Sequence, residues 1–189
     1  MKIRSILFAF ALGTSTLAVA DSGTTTTSSA ALSEIDAQVV AHLHAVDQLE
    51  IELGKLAQHN GTAPVKTYGQ MLVKDHTAFD AKLVAFAKKH GVTSIPADES
   101  PSITEKNDLD AEKGKLETLH GSAFDQELLP MMAAAHDKEV VKANANIAVV
   151  SDGGLKMMLE NVKPTLQKHA DEARRLQAPQ TRSSTPLAN

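Results

Sequence analysis

Leu43, Val46, Leu53 and Ala57 follow one another at steps of three, seven and four residues, and comparable spacing recurs in every long segment of the chain. Such steps return a side chain to one face of a helix with about 3.6 residues per turn, whereas a half-buried strand needs alternation at every second residue. No alternating run of β-branched residues interrupts the pattern. The fold class expected is therefore all-α.

Four long helices and a short one are expected. The first covers residues 32–60, with Ser33 as a cap and Asn60-Gly61 as a stop, and turns Ile35, Val39, Leu43, Val46, Leu53 and Ala57 inward. The second covers residues 63–90, with Pro64 in its first turn and Val65, Leu72, Phe79, Leu83 and Ala87 on its stripe. A short, mostly charged helix over residues 104–120 is stopped by Gly121. Residues 122–151 and 154–177 form the remaining two, with Leu128, Met132, Val140 and Ala143, then Leu155, Leu159, Val162 and Leu166 inward.

Connection lengths constrain how these helices meet. The first two and the last two are joined by a few residues, so each pair is an antiparallel hairpin. Some thirty residues separate the pairs, enough to return along the bundle at about 1.5 Å per helical residue. Two hairpins joined by one long crossover is a ferritin-like four-helix bundle, and an up-down-up-down bundle with a decorated loop is the alternative. The bundle forms one domain over residues 32–178.

The ends carry a different message. Lys2 and Arg4, an apolar stretch from Ile6 to Leu17, and Ala18-Val19-Ala20 have the layout of a secretory signal peptide, so residues 1–20 are expected to be removed. The apolar stretch is broken by Gly13 and polar neighbours and falls short of the roughly 20 residues a membrane span needs. No transmembrane anchor is expected after processing. Residues 21–31 read as a polar linker and residues 179–189 as a tail, both too polar to pack. The protein is expected to be exported to the periplasm, with association to the outer membrane and an envelope protein partner in view. Losing Lys2 and Arg4 takes the formal charge from −4 to −6, and aromatic residues make up only 3% of the chain. Nucleic acid is not an expected partner, because both excess positive charge and stacking platforms are lacking. With no cysteine, stability rests on apolar burial.

Polar residues on the apolar stripes carry the chemistry. Glu50 falls between Val46 and Leu53, His76 between Leu72 and Phe79, His136 between Met132 and Val140, and His169 between Leu166 and Ala173. Each long helix thus directs an acid or a histidine inward, about 16 to 24 Å from the hairpin turns. Carboxylate and imidazole converging at mid-bundle is how helical bundles hold metal ions, here iron, zinc or manganese. The alternative is a structural polar layer that fixes helix register. Asp125 lies too far along its helix to join and is expected to bond near that helix's start. Glu117 and His120 have ligand spacing on a charged, exposed helix.

Glu50 to Ala57, Val65-Lys66 and Met71 to Thr77 resemble the first hairpin of the exported bacterial domain-of-unknown-function 4142 family. Gly121 to Asp125 with Met131 and His136, and Pro164 to His169, resemble two further segments of it. The resemblance implies a ferritin-like fold and an exported protein, brings no established activity, and falls on Glu50, His76, Asp125, His136 and His169. Di-iron bundles place a glutamate three residues before the histidine, where this chain has Val73 and Leu166. A single-metal or metal-free bundle fits better. The first functional reading is a binding or envelope-stress protein without catalysis. The second is a metal-dependent redox or metal-sequestering protein, and the third a structural interaction module.

Overall fold

Ser33 sets the start of α1 (Glu34–Asn60): its hydroxyl accepts the Asp36 N–H at 3.1 Å, satisfying one of the first-turn donors that a helix leaves unpaired. The computed structural model describes residues 31–178. The expected signal peptide over residues 1–20, nearly all of the expected linker over 21–31 and the expected tail over 179–189 lie outside the described residues. α2 (Ala63–Lys89), α3 (Ile103–Thr118), α4 (Gly121–Val149) and α5 (Gly153–Gln177) complete an architecture that is all-helical among the described residues. Asp152 caps α5 by accepting the Gly154 and Leu155 N–H groups at 2.7 and 3.0 Å. Ser102 and Glu105 form a capping box at the start of α3.

α1 packs along α2, and α4 along α5; α2 also meets α5, and α1 meets α4. Hydrogen bonds between helix ends fix the directions. Thr62, at the start of α2, donates its N–H and hydroxyl to Asp125 near the start of α4, at 3.1 and 2.5 Å. Asp36, in the first turn of α1, accepts the N–H and hydroxyl of Ser151 just beyond α4, at 2.9 and 2.5 Å. α4 therefore starts at the end where α2 starts and runs antiparallel to α1. The segment carrying α3 returns the chain along the bundle, so two antiparallel hairpins are joined by one long crossover. Asp125 lies near the start of its helix as expected, but it serves the first turn of α2.

The first hairpin is drawn tight by two glycines. A Cβ on Gly69 would lie 2.5 Å from the Gly54 carbonyl oxygen and 2.8 Å from Ala57 Cβ; one on Gly54 would lie 2.9 Å from Val73 Cγ2. The backbones of α1 and α2 thus touch, one helical turn beyond Glu50. The apolar core falls into two clusters. Leu53, Tyr68, Leu72, Phe124, Leu128 and Met132 fill one half, and Val40, Leu43, Leu83, Leu155 and Leu159 the other. Burial of each such side chain contributes about 1.5–3 kcal/mol.

Most expected stripes are inward. Ile35 is not: it is 48% exposed, and Asp36 takes the inward place beside Ser151. The first turn sits at the bundle end, where a carboxylate bonded to backbone and hydroxyl donors is favoured over an apolar side chain. Gly121 is not the stop of α3, which ends at Thr118; with φ of +59° it turns the chain into α4. No helix among the described residues is long and apolar enough to cross a membrane.

Candidate metal centre

Between the two apolar clusters lies a buried polar layer. His76 from α2, His136 from α4 and His169 from α5 are 4%, 1% and 0% exposed. Their ring centroids lie 5.0 to 5.8 Å apart, and one nitrogen from each lies within 4.8 Å of the others. Glu50, 4% exposed on α1, brings Oε2 to 4.0 Å from His136 Nε2. The four residues read from the stripes therefore meet. They do so because each stands where an apolar stripe residue would otherwise be, and the antiparallel hairpins bring their mid-points to one level.

Neighbouring groups orient the rings. His136 Nδ1–H donates to the Met132 carbonyl at 2.8 Å, one helical turn earlier, which leaves its Nε2 as an acceptor in the neutral ring. His76 Nδ1 lies 2.8 Å from Asp47 Oδ1, so its Nε2 points away from the carboxyl. His169 Nε2 lies 3.1 Å from Asp75 Oδ2, and its Nδ1 lies 3.2 Å from His136 Nε2. Histidine ligands are commonly held by a carboxylate or carbonyl on the other nitrogen in this way. Tyr68 adds a bond from its hydroxyl to the His169 carbonyl at 3.3 Å.

Among the described residues, three buried side-chain atoms find no hydrogen-bonding partner: His76 Nε2, Glu50 Oε2 and Asp47 Oδ2. Burial dominates the electrostatics. It holds His76 at about 4, His136 at about 3 and His169 at about 4, all well below an ordinary imidazole. It pushes Glu50 up to about 8, helped by Asp47, and Asp47 up to about 8, helped by Asp80. Burial thus favours the uncharged forms of the three imidazoles, Glu50 and Asp47.

Asp47 and Asp75 are the functional residues that stripe reading misses. Asp47 lies three residues before Glu50, close enough in angle to share its face, and is 3% exposed. Asp75 sits at the flank of the α2 stripe, where the spacing rule is silent. Glu117 and His120 are exposed. His42 and His44 straddle the α1 stripe, yet neither is simply solvated: His42 bridges Asp98 and Glu139 at 2.8 and 3.0 Å, and His44 meets Asp80 at 2.6 Å.

A family described as Domain of unknown function (DUF4142) matches residues 21–176. The chain belongs to it. Within this domain-of-unknown-function 4142 member, the matched span takes in α1 to α4, all of α5 but its last residue, and every residue of the polar layer. No curated protein and no solved structure matches it.

Proposed function

We propose that this protein is exported and binds a single divalent transition-metal ion through His76, His136, His169 and Glu50. One observation carries the reading. His76 Nε2 and Glu50 Oε2 are buried and lack hydrogen-bond partners; His76 forms a group of donors with His136 and His169, and Glu50 Oε2 lies 4.0 Å from His136 Nε2. A polar layer that served only helix register would leave each uncompensated, at a cost of about 1–3 kcal/mol apiece. A cation bonded to both removes that cost.

The donor set decides between metals only by class. Three imidazoles and one carboxylate suit iron, zinc or manganese. The 3.2 Å between His136 Nε2 and His169 Nδ1 is close to the edge of a tetrahedron of nitrogens bound at about 2.0–2.1 Å. Val73 and Leu166 stand where bridging glutamates would be needed for a second ion, so the layer suits one. His76, His136 and His169 would bind as neutral rings, with Asp47, the Met132 carbonyl and Asp75 holding their outer nitrogens. Bound there, the ion supplies Lewis acidity and, if it is iron or manganese, one-electron redox chemistry. Export rests on the basic, apolar and Ala-Val-Ala pattern of residues 1–20.

Elemental analysis of the purified mature protein tests the reading. About one iron, zinc or manganese ion per chain is expected, lost in His76→Ala combined with His136→Ala. A trace metal content that the double substitution leaves unchanged overturns it.

A further inference from the structure

Structural metal sites are closed by their protein ligands, whereas reactive ones keep a coordination position for an exogenous ligand. The polar layer is not closed on every side. A cleft of about 270 Å³ lies between α2 and α5, and His76, His169 and Asp75 are among the residues that line it. Phe79, Val162 and Leu166 supply apolar wall, and Lys82, Asn161 and Thr165 supply polar wall. At about 30 Å³ of liquid volume per water, the cleft has room for several small molecules. His136 and Glu50 do not line it. The cleft therefore approaches the layer from one direction, on the side of His76 and His169.

Charge narrows the kind of ligand. A divalent ion facing one carboxylate keeps a positive charge in a buried place, and uncompensated charge there is costly. Lys82 adds a cation to the cleft wall. Asp75 brings the opposing charge, but its Oδ2 lies 3.1 Å from His169 Nε2 and is committed to that ring. We infer that a compact monoanion enters the α2–α5 cleft and coordinates the ion on the side of His76 and His169. This rests on the metal reading above. It makes the centre an open, ligand-exchanging one.

Azide titration of the Co2+-loaded protein tests it, followed by the visible bands, which change with coordination number. Saturable change is expected in the wild type. Ala78 and Asn161 both line the cleft outside the donor set, and Ala78→Phe and, separately, Asn161→Phe add an aromatic ring to its wall. Each is expected to weaken azide binding by about tenfold or more, with Co2+ content and the azide-free spectrum unchanged. A wild-type spectrum indifferent to azide, or an equal response in both cleft variants, overturns the open centre while leaving the metal reading intact. Failure of the wild type to take up Co2+ overturns both.

Discussion

His169 Nδ1 lies 3.2 Å from His136 Nε2 while the opposite nitrogen of the same ring lies 3.1 Å from Asp75 Oδ2. Because His136 donates its one N–H to the Met132 carbonyl, its Nε2 offers only a lone pair. A neutral His169 has one proton for two acceptors, and burial opposes a second. An ion between the rings removes the conflict: Nδ1 becomes a ligand and the single N–H faces Asp75. Metal uptake is therefore expected to release the Glu50 proton, while His169 keeps its one proton on the nitrogen that faces Asp75. Calorimetric titration with Zn2+ in buffers of different ionisation enthalpy measures this. An enthalpy independent of the buffer contradicts it.

Asp47 and Asp75 should matter to the metal without touching it. Asp47→Asn and Asp75→Asn are each expected to lower Zn2+ or Mn2+ affinity about 10- to 100-fold, the usual effect of losing a group that holds a ligand histidine. Competition with a chromogenic chelator gives the affinities. Wild-type values in both variants would mean that the carboxylates serve only the metal-free fold.

Stability of the metal-free protein should peak near pH 6.5. His76, His136 and His169, held at about 4, 3 and 4, bind fewer protons folded than unfolded, so stability rises with pH from about 4 to their ordinary value of 6.5. Glu50 and Asp47, pushed up to about 8, bind more protons folded, so their contribution is lost as pH rises through 8. Below 6.5 the three histidines outweigh the two carboxyls; above it the carboxyls act alone. His42, raised chiefly by its bond to Glu139, adds to the alkaline fall. Thermal melts from pH 4 to 9 read the profile, and saturating Zn2+ should flatten the alkaline limb because Glu50 then ionises against the ion. A metal-free Tm that climbs steadily through pH 8 contradicts the assignment.

Much of this was legible in the chain. Period-3.6 stripes fix helix existence and inward faces, and short connections fix the hairpins, so the sequence alone brings Glu50, His76, His136 and His169 to one level. Spacing along one helix says nothing about what a neighbouring helix presents, however. The pairings of Asp47 with His76 and Asp75 with His169 depend on how α1, α2 and α5 are rotated against one another. Ile35 fits the stripe numerically, but the stripe rule does not know that the bundle ends there and that Ser151 waits for a carboxylate.

Gly69→Ala tests what holds the layer together. Its Cβ would come to 2.5 Å from the Gly54 carbonyl oxygen and 2.8 Å from Ala57 Cβ, so backbone has to move. Overpacking of this kind costs about 1–3 kcal/mol. Separating α1 from α2 also draws Asp47 and Glu50 away from His76, so metal affinity is expected to fall along with Tm. A variant as stable as the wild type would show that the hairpin is not in close contact there.

Glu50→Gln separates stability from function most cleanly. In the metal-free protein burial keeps Glu50 protonated up to about pH 8, so the uncharged amide is close to the native group in shape and charge. It can also donate a hydrogen bond from where Glu50 Oε2 now has no partner. At pH 8, where the native carboxyl begins to ionise in a buried place, the variant is expected to be at least as stable as wild type. Metal binding should suffer in the opposite sense, because an amide oxygen cannot neutralise a divalent ion; a loss of about tenfold or more is expected. Melts at pH 6 and 8 paired with chelator competition give both quantities from one preparation. A variant that loses stability and keeps its metal would reverse the role given to Glu50, making it a structural acid and leaving the ion to the three histidines.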